Sequence, residues 1–189
     1  QGFIYYIENG RTYDWWYFPF QLCSVPMYLG LFIPMVPARI RNVFYLFIQD
    51  FGLLGGIMAL AEPSGLMHPY WTMTVHGFLW HFNLIFMGLI CAFYNLKTET
   101  PKSYLHTIPL FLFCATAVNV LSHPYGNADM FYISPYYPNG QIVFHQISLV
   151  IGTFAGNCLY LVSVLLGGFI IHISCLEIGQ HYFTKISKS

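Results

Sequence analysis

A thiol, an imidazole and a carboxylate lie inside long apolar runs of this sequence: Cys23, His81 and Asp50. A cysteine becomes a nucleophile when a base takes its proton, and histidine is the usual base. Cys23 and His81 can form such a dyad, with His76 as the second choice of base. The amide of Asn83 or Asn119 would then bind a developing oxyanion. Asp50 lies mid-span beside Gln49, nearer the inner side. A lone acid in hydrocarbon marks a proton or cation pathway, or a polar bond between helices. Asn157 is a further polar group that must face a bundle interior. A plainer reading stands beside this one: Cys23 fills core, and His81 bonds a backbone carbonyl.

The elements carrying these residues follow from composition. The chain has 189 residues, 57% of them apolar, 20% aromatic and only 7% charged. A soluble domain carries about 25% charged residues to keep its surface hydrated. Seven acids and seven bases cannot coat a globule of this size. An ordinary soluble enzyme, a disordered chain and a nucleic-acid binder are excluded, the last because it needs a basic face. The remaining class is an all-α, polytopic transmembrane helix bundle forming one domain over residues 1–189.

A crossing helix needs about 20 apolar residues. Five runs qualify, at about 17–37, 43–61, 74–94, 104–121 and 142–174. The last is longer than one span needs, so it is expected to tilt or protrude. Two shorter helices broken at Gly167 and Gly168 are the weaker alternative. Six of the seven basic residues fall on alternate loops: Arg39, Arg41, Lys97, Lys102, Lys185 and Lys188. The positive-inside rule assigns those loops to the cytoplasm, which leaves the first residues outside and the C-terminus inside.

Depth arithmetic brings the dyad together. Cys23 lies ~9 Å and His81 ~10 Å below the outer boundary at helical rise. Asn119 lies two residues before the outer exit of its span. The three share one layer if their helices are neighbours. His76 and His81 are about 140° apart on a helix, so both cannot aim at one centre. The outer loops are rich in Tyr, Trp, Pro and Asn. The second, Ser122 to Gln141, has the length of a lid; its Asp129, Tyr132 and Tyr136 could contact a polar headgroup. GxxxG at Gly52/Gly56 and Gly152/Gly156 reads as close helix contact. The five Cys form no CxxC pair and the eight His no HxxxH or HxxEH spacing, so neither a metal nor another cofactor is implied.

Four segments resemble the YwaF family of bacterial integral membrane proteins, in the family's order. They are FPFQLCSVPMYLGLF (Phe18 to Phe32), HGFLWHFNLIFMGL (His76 to Leu89), NADMFYISPYYPNGQIVF (Asn127 to Phe144) and GNCLYL (Gly156 to Leu161). The resemblance implies a bacterial cell-membrane protein of about six helices, one of which would precede this chain. The family is similar to eukaryotic membrane proteins that include a cysteine-dependent lipid acyltransferase. A more distant branch hydrolyses fatty-acid esters with a Thr and a His. What this implies is acyl chemistry on membrane lipids, with Cys23 matching the nucleophile and His81 its partner base. The Thr-type nucleophile has no counterpart here, because Cys23 occupies its place. The alternatives are a small-molecule transport or substrate-binding membrane subunit, with Asp50 coupling or lining its path, and a non-catalytic accessory membrane protein.

Overall fold

The computed structural model describes residues 6–7, 10, 19–95, 99–122, 130–134, 136 and 139–186, without the side chains of 121–122 and 182–186. The described chain is an all-α bundle with no strand among those residues. Six helices follow one another: α1 Leu22–Met35, α2 Ala38–Ala61, α3 Trp71–Asn95, α4 Pro101–Val120, α5 Ile142–Ile151 and α6 Thr153–Ile186. Four of them, α2, α3, α4 and α6, are long and apolar enough to cross a membrane. That makes this a membrane-embedded protein.

The ends of these helices have local causes. Pro34 tightens the last turn of α1, and Pro37, extended at ψ 156°, caps α2. α1 therefore spans only about 21 Å at 1.5 Å per residue, short of a ~30 Å hydrocarbon core. The start of the expected first span, residues 17–18, lies outside the described residues. α2 begins five residues earlier than expected and carries Arg39 and Arg41 in its first turn. Before α3, Thr74 Oγ1 donates to His68 O and accepts from His68 N–H. Thr100 and Ser103 cap α4 reciprocally, with Pro101 at its first position.

The fifth expected span is corrected. The run from Ile142 is not one helix, and Gly167 and Gly168 do not break it. The break is at Gly152, whose φ of +89° no other residue adopts cheaply. α5 and α6 fold into an antiparallel hairpin about that glycine. Phe144 and Tyr160 meet at 5.2 Å between ring centroids, and Ser148 lies against Gly156. Gly156 is thus a close contact, as its spacing predicts, whereas Gly152 is a turn.

Small residues let the long helices touch. A Cβ on Gly56 would stand 3.0 Å from His81 O, and one on Gly88 would stand 2.6 Å from Leu53 Cγ. Gly52/Gly56 thus bring α2 against α3, as GxxxG predicts. Gly167 and Gly168 admit Leu54 and Phe51 of α2 against α6. The centre is aromatic. Phe51 and Phe111 stack at 4.9 Å, and Phe131 meets Phe111 at 6.2 Å. α6 runs antiparallel to α4, with His172 beside Thr100 and Leu165 beside Tyr104.

Phe131 belongs to the stretch expected to be an outer lid. Residues 130–132 instead pack on α4, with Phe131 beside Phe111 midway along it. Met130, Phe131 and Asn139 are buried, and Phe131 and Tyr132 hold φ of 64° and 56°. An irregular backbone in a bilayer must find internal hydrogen bonds. Three asparagines supply them in succession. Asn139 Nδ2 donates to Tyr132 O (2.6 Å), Asn119 Nδ2 to Ile133 O (3.0 Å) and Asn157 Nδ2 to Ser134 O (2.7 Å).

Candidate functional site

Cys23 stands in the first turn of α1, a 3-10 turn over Leu22–Ser24. That turn packs on α2 at residues 48–61, and Pro26 lies 3.9 Å from the Cβ position of Gly52. From the neighbouring α3, Trp80 Nε1 donates to Cys23 O at 3.2 Å. The residue after Trp80 is His81. One hydrogen bond thus joins the turn of Cys23 to the helix of His81, while α1 packs chiefly on α2.

His81 is buried, 7% exposed. Its Nδ1 stands 2.7 Å from Gly77 O. A carbonyl only accepts, so Nδ1 carries the proton. The lone pair then resides on Nε2, the tautomer a general base requires. The plainer expectation of a carbonyl-bonded histidine is therefore met by one nitrogen and leaves the other for chemistry. No hydrogen bond joins Cys23 to His81 in this structure. Catalytic hydrogen bonds often close only when substrate is bound.

The other expected site residues scatter. His76 is exposed. Asn83 is exposed too, its amide 3.9 Å from Met87 Sδ, on the face of α3 away from His81. Asn119 spends its amide on Ile133 O, so it holds backbone in place of an oxyanion. Tyr132 is half-buried against Tyr160, inside the bundle and not over its end. Tyr136 is exposed, its N–H donating to Ser134 Oγ. Asp129 lies outside the described residues.

A second polar centre surrounds Asp50. Residues Ile48–Gly52 form a π turn within α2, and Asp50 is 0% exposed. π turns inside α-helices recur at functional sites. His172 of α6, also fully buried, places Nδ1 at 3.1 and 3.2 Å from the two carboxylate oxygens. Its Nε2 reaches Thr100 O at 3.0 Å. Gln49 Nε2 donates to Asp50 Oδ1 (3.0 Å), and Asn95 Nδ2 donates to Gln49 Oε1 (3.2 Å). One chain of bonds therefore links α2, α3, the start of α4 and α6. Both ring nitrogens of His172 face acceptors. Two bonds can form only if Asp50 and His172 share a proton between them while Nε2 keeps its own.

The sequence reading passed over His172. It lies two residues before the expected end of the fifth span, where a polar side chain passes for an interface residue. The rule that singles out Asp50 applies to it equally. Among the described residues no group of three His, Cys, Asp or Glu is placed to hold a metal ion. No family model, no curated protein and no solved structure matches this chain.

Proposed function

We propose that this protein is a membrane-embedded acyl-transfer enzyme acting on lipid esters, with Cys23 as nucleophile and His81 as proton shuttle. The observation that carries the reading is the Trp80–Cys23 hydrogen bond. It ties the thiol's turn to the residue before a buried imidazole whose Nδ1 bonds Gly77 O, which leaves the lone pair on Nε2. The resemblance to YwaF-family segments supports the same pair, and with it a bacterial membrane and membrane lipids as partners; the alternating basic loops support an N-terminal side outside.

In the reaction His81 Nε2 takes the thiol proton as Cys23 Sγ attacks the ester carbonyl carbon. The acyl C–O bond breaks, and the leaving alkoxide takes that proton from the imidazolium. The acyl chain now rides on sulfur as a thioester. A lysolipid hydroxyl or water attacks next and gives its proton to Nε2. The C–S bond breaks, and the thiolate regains the proton.

The test uses the full chain in phospholipid nanodiscs containing a lysophospholipid acceptor. Acyl exchange and labelling of Cys23 by a thiol-directed activity probe are both expected, and both are lost in Cys23→Ser and His81→Ala. Labelling and turnover that ignore both substitutions would overturn the dyad.

The Asp50–His172 centre favours a second reading, a small-molecule transport or binding subunit. Substrate binding that survives Cys23→Ala and disappears in Asp50→Asn would select it.

A further inference from the structure

The Cys23 turn and the Asp50–His172 pair press on the same short segment of α2 from different sides. Asp50 sits within the π turn Ile48–Gly52. The turn Leu22–Ser24 packs on that same segment. One turn later Gly56 stands under the carbonyl of His81. The π turn holds one residue more than an α turn would. If it relaxed to α, the helix beyond it would rotate by about 100° against the helix before it. Gly52 and Gly56 would then leave the face on which α1 and α3 meet.

Nothing in the residue types of IQDFG demands a π turn, so its cause lies in what it touches. Asp50 is held by His172 and Gln49, and Gln49 is held by Asn95. His172 in turn is anchored on Thr100 O, so its Nε2 ends on a carbonyl and passes no proton onward. That geometry suits a clamp better than a relay. We propose that the buried Asp50–His172 pair is a positioning device that holds the π turn of α2 and thereby the relative placement of Cys23 and His81.

The clamp is intact only while the two side chains share one proton. A second proton puts a hydroxyl where Nδ1–H needs an acceptor. Losing the shared proton sets a carboxylate against a lone pair. Among the described residues the groups facing the pair are few. Glu99, before α4, acts electrostatically on both members. Tyr104 of α4 lies 5.8 Å from the His172 ring, and Cys175 lies one turn along α6. α3 contributes Asn95, with Cys91 a turn away.

The consequence for catalysis rests on the acyl-transfer reading; the clamp itself does not. The test alkylates the full chain in nanodiscs with N-ethylmaleimide across pH. Mass spectrometry quantifies the Cys23 peptide against the exposed Cys158. Asp50→Asn and His172→Asn are each expected to change Cys23 alkylation by about tenfold, the scale of one charge-assisted hydrogen bond. The exchanged pair D50H/H172D is expected to return it toward the wild-type rate. The wild-type pH profile should carry a step beyond the thiol's own ionisation, absent from D50N/H172N. Unchanged Cys23 alkylation in folded single variants overturns the proposal. If those variants do not fold, wild-type hydrogen exchange at residues 48–56 decides: exchange that steps with the pair's titration supports the clamp, and exchange without such a step overturns it. Absent lipid turnover with this alkylation pattern intact defeats only the acyl-transfer reading. Turnover without the pattern defeats only the clamp.

Discussion

Replacing His172 by Leu removes one half of a pair in which both side chains are fully buried. Asp50 keeps the Gln49 amide but loses the contact to both oxygens, and Thr100 O loses its donor. Breaking a buried pair in a soluble protein costs about 3–5 kcal/mol. In a bilayer the separated helices also find polar partners, which brings single polar bonds down to ~0.6–1.7 kcal/mol. A charge left without its counterion lies between these bounds, so H172L is expected to lose about 2–3 kcal/mol. D50L should lose a similar amount. The double variant D50L/H172L removes both polar groups together and is expected within about 1 kcal/mol of the native chain, because no buried charge remains. Reversible SDS unfolding in mixed micelles, followed by circular dichroism, measures all four proteins of the cycle. Losses that simply add in the double variant would mean the two groups do not interact, and the account of the bundle's polar centre would fail.

Asn119→Leu and Asn157→Leu each strip a donor from a buried carbonyl. Each should cost about 1–3 kcal/mol and speed hydrogen exchange selectively at 130–134. Gly152→Ala forces a Cβ into a glycine-only conformation and should cost about 1–3 kcal/mol; a native-like unfolding midpoint would contradict the hairpin. Gly88→Val should push α2 from α3 at a cost of about 1–3 kcal/mol, read as weakened Trp80 burial by fluorescence quenching.

Three of the four crossing helices, α2, α3 and α4, could be read directly, because a bilayer permits only apolar runs that close their own backbone bonds. Their limits needed more. Pro34 and Pro37 stop α1 early, and the start of α2 absorbs two arginines that looked like loop. Gly152 could be seen as half of a packing motif, but whether a glycine packs or turns depends on its φ, which spacing does not encode. The stretch SPYYPNG has the composition of a surface lid. The residues leading into it, 130–134, are nonetheless held in the bundle, because Asn119, Asn139 and Asn157 converge on three consecutive carbonyls. For the site, depth arithmetic puts Cys23 and His81 in one layer, and the structure adds a bond from Trp80, next to His81, to Cys23 O. Depth says nothing of azimuth, and there Asn83 went astray. The partner of Asp50 could not be named from spacing, as 122 residues separate it from His172.

The hairpin at Gly152 has a topological consequence. By residue 131 the chain stands beside Phe111 of α4; it then climbs back along α5 and only then begins α6. That excursion enters and exits through one surface, so it adds no net traverse. Reporter groups attached near Ser122 and at Gly152 would sense the same compartment, and the sidedness of everything downstream is the same as if the excursion had never left the membrane surface.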